Sequence, residues 1–486
     1  MIDFANIEKY KENNRIEAKK AIGGLPRSIW ETYSAFANTL GGIILLGVEE
    51  HRDKTLHPVD LPDPEKLIKE FWAIVNNADK VSCNILSDKD VTVENIGGKR
   101  IVAIRVPRAQ RGDKPVYIDK NPFSGSYRRN GEGDYKCTKE DVQAMMRDAA
   151  IKTQDMLVLE NMELDAFDCD SVRRYRVRMK NYRSKPAWEA LEDAELLYKL
   201  GAVGRSSDGR LRPTAAGLLM FGYEYEIVKE FPAYSLDYQE QLESDTRWTD
   251  RIVSSSGDWS GNVYDFYFRA CDKLTQDIKV PFKLEGGVSV DDAPVRKALR
   301  EALANCLINA DYYGRQGIVI IKKRDVITLS NPGGFRIDIE AAKNGGVSDP
   351  RNSALTRMFN LIGVGERTGG GIPNLFSVWK KQGWSAPVID ESFEPDRITL
   401  SLAIGKGGDK KAAIKSGVKK AAAKTVAQKQ AIIAYLTENV SASSAEIAEL
   451  LGLKATRARE ILAEMADEDI LVTEGENKNR VYKLKA

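Results

Sequence analysis

Hydrophobic and polar positions along the chain follow a helical period first and a strand period after it. The change is clearest between residues 29 and 50. Ile29, Trp30, Tyr33, Phe36, Ala37 and Leu40 fall at i, i+1, i+4, i+7, i+8 and i+11, which is one broad apolar face of a helix. Pro26 suits its first turn, so the helix is predicted to begin there. Gly41 and Gly42 can take the positive φ that ends a helix. Ile43 to Val48 is a short apolar run rich in β-branched residues, which predicts an inner strand. Gly47 lets another group approach that strand, and Glu49 and Glu50 sit where it leaves the interior.

The same reading continues along the chain. A helix is predicted from Pro64 to Asn76, and strands Val91–Val93 and Ile101–Val106 pair across a turn at Gly97-Gly98. A helix near Thr138 to Met146 closes this first region. Beyond it come a basic helix at Asp170–Asn181, a helix at Ala187–Leu200, and an apolar core segment at Thr214–Gly222. A strand at Phe231–Tyr238 and a helix at Tyr264–Ile278 come next. From Val295 runs a strong helix. Leu299, Ala302, Leu303, Cys306 and Leu307 keep one face apolar, and Glu301 and Asn305, four apart, share another. Strands Ile318–Ile321 and Val326–Leu329 form a hairpin, and Asn331-Pro-Gly-Gly334 is a turn. Gly369, Gly370 and Gly371 form a loop that opens another helix, whose backbone N–H groups could face a phosphate.

Composition narrows the classes. With 486 residues and 42% hydrophobic content the chain can bury several cores. Its net charge of +2 supplies no global field for a polyanion, so any basic surface must be local. Five widely spaced cysteines fit reduced thiols, not a disulfide framework. His51 and His57 are the only histidines, which argues against a zinc site or a histidine-dependent triad. No signal segment and no apolar run of spanning length is visible, so a cytoplasmic protein with no membrane contact is expected.

Glu12, Glu17 and Lys19 lie upstream of the first helix; Glu17 and Lys19, two apart, share a strand face. Together with Ala35-Phe-Ala-Asn-Thr-Leu-Gly-Gly42, Gly47-Val-Glu-Glu50, Lys114-Pro-Val-Tyr117 and Tyr127-Arg-Arg-Asn-Gly131, this pattern resembles the Schlafen AlbA-type domain over about the first 150 residues. The resemblance implies nucleic-acid binding. In Schlafen ribonucleases three carboxylates hold a divalent metal, and Glu12, Glu17 and Glu50 match those positions, with Glu50 where an Asp is usual. Mg²⁺ or Mn²⁺ suits carboxylates and would activate water against a phosphodiester. The bland alternative leaves these acids as solvated or ion-paired surface groups. Lys19, Arg128 and Arg129 are the nucleic-acid candidates here, beside an equally open reading of the arginines as an ordinary polar loop.

The stretch from 285 to 404 resembles the GHKL-type ATPase domain. The resemblance makes Glu301 the residue that orients water and Asn305 the Mg²⁺ ligand, with Asn309, Asn331, Gly333, Gly369, Gly370 and Gly371 around ATP. Ser330 stands where the family has its adenine-reading Asp. Arg351, in Ser348-Asp-Pro-Arg-Asn352, is assigned either to a phosphate or to an acid.

Residues 405–425 carry lysines among Gly and Ala and read as a flexible basic linker. Residues 426–486 look like a winged helix-turn-helix. Ser443 caps a second helix with Glu446 three residues on, Thr456–Ala466 is the third helix, and Leu471–Leu484 is the wing. Its expected contacts are Lys454, Thr456, Arg457, Arg459, Lys478 and Arg480. The fold class is therefore α+β multidomain: an AlbA-type domain (1–150), a helical or mixed connecting region (151–284), a GHKL-like α/β sandwich (285–404), the linker and the winged helix-turn-helix. A nucleic-acid-binding, nucleotide-responsive regulator is expected, with DNA favoured over RNA and the chain acting as a homo-oligomer. A metal-dependent nuclease and an inert assembly scaffold are the alternatives.

Overall fold

The computed structural model describes residues 2–182, 188, 190–242, 248–276, 278, 284–285, 288–289, 293–365, 370–393 and 395–405; in the tail it describes 432, 435–436, 439, 441–451, 458, 461–462, 465, 471–474 and 481–484. Two compact units result, Met1–Gly405 and Lys406–Ala486.

The first unit begins with a four-stranded sheet. Strand Gly42–Leu46 lies between Ile16–Lys19, to which it is parallel, and Lys99–Val106, to which it is antiparallel; Val91–Ile96 completes the order. Its apolar run is continuous because both faces are covered. Ile44 and Leu46 face Phe36 and Phe71 of helices Ile29–Asn38 and Pro64–Val75, whereas Ile43 and Leu45 face Ile7 and Leu56. The helix starts at Ile29, not Pro26: residues 26–28 form a turn in which Ile29 N–H donates to Pro26 O at 3.0 Å. Of the two glycines after it only Gly41 has positive φ, at +73°, and a Cβ there would lie 2.8 Å from both Val106 O and Arg108 N. The strand breaks at Gly47, and Val48–Glu50 turns away to pair with Leu56–Pro58.

The rest of this unit is built on a six-stranded mixed sheet, in the order Asp250–Val253, Leu236–Gln241, Ile318–Lys323, Val326–Pro332, Asp396–Ala403, Val388–Phe393. One hydrophobic cluster runs from Leu159 to Leu402. It joins Tyr175, Phe221 and Tyr264 of the expected connecting region to Leu303, Phe359 and Trp379 of the expected ATPase region. The connecting region and the ATPase region thus share one interior. Helix Asp193–Leu200 starts later than predicted and strand Leu236–Gln241 later than Phe231; residues 183–187 lie outside the described set.

In the second unit, strand Ala442–Ser443 pairs with Val481–Leu484, which pairs with Leu471–Glu474. Ile447, Ala458, Ile461, Leu462 and Met465 are buried against Leu471 and Tyr482. The predicted cap at Ser443 forms: its N–H and hydroxyl donate to Glu446 Oε2 at 2.7 and 2.8 Å, and Glu446 N–H returns to Ser443 Oγ. All five cysteines are free thiols, and among the described residues no helix is long and apolar enough to cross a membrane.

Candidate functional site

Helix Ala293–Ile308 lays its polar stripe along a cavity of about 170 Å³, roughly ten times the 10–15 Å³ that one water needs. Glu301, Asn305 and Asn309 line one side. Leu329 and Asn331, from strand Val326–Pro332, and Ile398 and Leu400, from its neighbour, supply the sheet side. The start of helix Gly371–Gln382 closes a third wall. Its approach is so close that a Cβ on Gly371 would collide with Glu301 Oε1 and lie 3.0 Å from Asn305 Nδ2. The Glu301 carboxylate therefore sits at a helix N-terminus, where the backbone dipole favours negative charge.

The structure thus brings Glu301, Asn305, Asn309, Asn331 and Gly371 together, with Gly370 as the cap of the closing helix. Asn309 spends its Nδ2 on Asn305 O at 2.9 Å, and Asn331 is buried with its amide on Asn309 O and Pro332 O. Gly333, at φ +94°, lies under the Arg351 guanidinium. Gly369 lies outside the described residues. Ser330 shares a hydrogen bond with Thr399 Oγ1 at 2.6 Å.

One loop layer beyond this cavity is the seam with the N-terminal region, and it is crossed by ion pairs. Arg108 grips Glu391 at 2.5 and 2.9 Å and donates to Phe335 O. Arg111 meets Asp349 at 2.5 Å, and Arg128 holds Asp396 at 2.8 Å through each terminal nitrogen, with Asp141 at 3.0 Å. From the other side Arg351 clamps Asp148 at 2.9 and 2.7 Å while bonding Asn309 O and Gly334 O. Of its two sequence assignments, the acid is the one observed. Burial alone raises the Asp148 carboxyl; the Arg351, Arg336 and Arg147 guanidiniums outweigh it and hold the group below its ordinary value. Lys114, donating to Asn38 O at 2.9 Å, is pushed down to about 7, by burial first and then by the Arg108 guanidinium.

Arg128 and Arg129, the expected nucleic-acid contacts of this region, are buried in ion pairs. The Arg128 side chain is 11% exposed and committed to the seam acids; that of Arg129 is 1% exposed. Arg129 binds Glu17 at 2.7 Å, Asp134 at 2.9 Å and two backbone carbonyls, and lies 5.2 Å from the Phe36 ring centroid. Guanidiniums buried among carboxylates do not present themselves to phosphates. Lys19 is likewise turned onto Glu17, at 2.8 Å.

The charges of the N-terminal acids bear on one another. Burial pushes the Glu12 carboxyl above its ordinary value; the Ala18 N–H on its Oε1 opposes this, and the Glu17 and Glu50 carboxylates add to it. Glu50 Oε1 is buried with no hydrogen-bond partner, and its other oxygen is 3.3 Å from Lys54. Glu17, however, is satisfied by Lys19 and Arg129. Among the described residues no group of three or more His, Cys, Asp or Glu side chains stands in a metal-holding arrangement. The arrangement shown does not fit a resident ion.

Sequence reasoning missed the role of Asn38. It donates to Val116 O at 2.8 Å and Tyr127 O at 3.1 Å and accepts from Val116 N–H at 2.9 Å, tying the 114–117 loop to strand Tyr127–Asn130. An amide on an otherwise apolar helix face is the signal that could have marked it. Arg336 and Asp148 were also missed, and neither lies in a recognisable motif. In the tail, Lys454, Thr456, Arg457, Arg459, Lys478 and Arg480 lie outside the described residues.

Residues 12–138 match the family model "Schlafen, AlbA_2", and residues 316–400 match "Putative ATP-dependent DNA helicase recG C-terminal". Residues 143–237 match a domain of unknown function. The N-terminal domain of a "Putative ATP-dependent DNA Helicase RecG-related Protein" from Nitrosomonas europaea is 31% identical over 28% of this chain and 95% of its own, at a TM-score of 0.23. The DIP2311 protein from Corynebacterium diphtheriae is 18% identical over 97% of this chain and 92% of its own, at a TM-score of 0.41. No curated protein sequence matches.

Proposed function

Since the chain carries a Schlafen AlbA_2 domain and a RecG-like ATPase-type domain, we propose that it is a nucleic-acid-binding regulator whose central cavity takes a nucleotide. The observation that carries this is the convergence of Glu301, Asn305 and Asn309 with Gly371 at the head of a helix, around one cavity of ligand size. These are the positions that a GHKL-type site would use. Asn305 offers one neutral oxygen, and Mg²⁺ needs only one or two protein ligands where phosphates supply the rest. The metal would neutralise phosphate charge; Asn305 would position it, and Glu301 would orient a water. The capped helix and three-stranded sheet of the tail support a winged helix, whose contacts to DNA would come from Lys454, Thr456, Arg457, Arg459, Lys478 and Arg480.

A melting experiment with ATP and Mg²⁺ tests the cavity. A rise in melting temperature that disappears in Asn305→Ala is expected; no shift with the intact protein would reject it. Mobility shifts with labelled duplex DNA and RNA, repeated with Arg457→Ala, test the nucleic-acid half.

A second reading, a nuclease, is supported by the mutual repulsion of Glu12, Glu17 and Glu50 and by the unpartnered Glu50 oxygen. As arranged these carboxylates do not fit a metal, because Glu17 is held by Lys19 and Arg129. Mn²⁺-dependent degradation of labelled RNA or DNA, lost in Glu17→Gln, would establish it over the first reading.

A further inference from the structure

The cavity and the seam share one wall, and one of its guanidiniums is less closely paired than the others. Three carboxylates stand there, each with a guanidinium of its own. Asp148 is clamped by Arg351, Asp349 by Arg111 at 2.5 Å, and Asp311 by Arg147 at 3.1 Å. Arg336 is the fourth guanidinium. Its side chain is 6% exposed, and its nearest carboxylate is the already occupied Asp349, at 3.4 Å. Its terminal nitrogens donate to Pro350 O at 3.0 Å and Asp148 O at 3.3 Å, which are neutral carbonyls. Its Nε is buried and has no partner. Arg336 also lines the cavity that holds Glu301 and Asn305.

A guanidinium cannot shed its proton to relieve such a position. Burial lowers its proton affinity here, and the Arg111 and Arg351 guanidiniums lower it further against the pull of Asp148 and Asp349. A buried charge whose one carboxylate partner is shared with Arg111 is only partly compensated, and a buried donor without an acceptor is costly. An anion entering from the cavity side would complete the compensation that Asp349, shared with Arg111, leaves partial. The guanidinium edge suits a phosphate oxygen.

We propose that Arg336 is the anion-reading residue of the cavity and receives a phosphate group of the bound nucleotide. This rests on the nucleotide reading above and adds to it the ligand class: phosphorylated, not neutral. Charge-assisted bonds of this kind discriminate by on the order of ten- to hundredfold.

Isothermal titration of the full chain with ATP, adenosine and pyrophosphate tests it, in the intact protein and in Arg336→Gln and Arg336→Lys. The expected result is ATP binding at least about tenfold tighter than adenosine, with pyrophosphate competing against ATP. In Arg336→Gln the preference collapses while adenosine affinity stays; Arg336→Lys restores part of it. Equal affinity for ATP and adenosine in the intact protein, or an unchanged preference in a folded Arg336→Gln, overturns this inference and leaves the cavity reading standing. Binding of pyrophosphate alone, equally strong with and without Arg336, overturns it in favour of free phosphate held elsewhere. If neither ATP nor adenosine binds the intact protein, the cavity reading falls and this inference with it. Should Arg336→Gln fail to fold, a folded Arg336→Lys decides, and an ATP preference equal to the parent's overturns the inference.

Discussion

Asp148→Ala removes one half of a clamp that joins helix Lys139–Ala149 to the cavity wall. Breaking a buried ion pair by deleting one partner costs about 3–5 kcal/mol, because the other charge is left uncompensated. The Arg351 side chain is 9% exposed and Asp148 28%, so solvent reaches the pair and the cost falls to the lower end or just under it, about 2–3 kcal/mol. Arg351 keeps its bonds to Asn309 O and Gly334 O, which limits the loss further. A double-mutant cycle with Arg351→Met separates the pair from side effects, and its coupling energy should reach about 1.5–3 kcal/mol. Urea unfolding followed by both tryptophan fluorescence and circular dichroism supplies the free energies, provided the transitions coincide. The surface pair Arg315–Glu140, 79% and 52% exposed, serves as a control, with coupling near zero. The pH dependence has a definite sign. The folded Asp148 value lies below the ordinary 3.8, so its contribution is complete above that value and is lost as pH falls through the folded one. A coupling energy no larger than the control's would refute the clamp as a tie between that helix and the cavity wall.

Asn38→Ala should destabilise the N-terminal region by about 2–4 kcal/mol, since Val116 N–H and Tyr127 O lose their partner while Val116 O keeps Ser34 Oγ; a melting temperature indistinguishable from the parent's would contradict this. Glu12→Gln keeps an acceptor for Ala18 N–H and removes repulsion from Glu17 and Glu50. Because the folded Glu12 value is raised above the ordinary 4.5, the parent loses stability as pH rises through that window. The variant should therefore melt higher than the parent at neutral pH and equally below the ordinary carboxylate value, and a difference independent of pH would count against it. Gly371→Ala should cost about 1–3 kcal/mol by overpacking against Glu301, and should abolish the ATP-dependent melting shift; an unchanged shift would show that this close approach is not part of the site.

Local geometry was legible in the sequence. The four-residue spacing of Glu301 and Asn305 placed both on one helix face, and that face proved to line the cavity. The unbroken apolar run through Ile43–Leu46 marked an inner strand because both of its faces are covered. Partners distant in the chain were not legible. Arg128 read as a nucleic-acid candidate because its acid, Asp396, comes 268 positions later. Arg129 read the same way, although strand alternation turns it inward onto Glu17. Nothing local distinguishes an arginine awaiting phosphate from one already neutralised across a fold.

The shared interior running from Leu159 to Leu402 has a practical meaning for dissection. The recG-type match begins at 316, yet Glu301 and Asn305 precede it, and the helix that bears them packs on aromatic side chains from far upstream. A fragment cut at 285 would leave Tyr175, Phe221 and Tyr264 behind and open a greasy scar where they had been. Anyone trimming this chain for biochemistry, or grafting its ATPase-type portion onto another protein, must carry the segment from about residue 151 along with it.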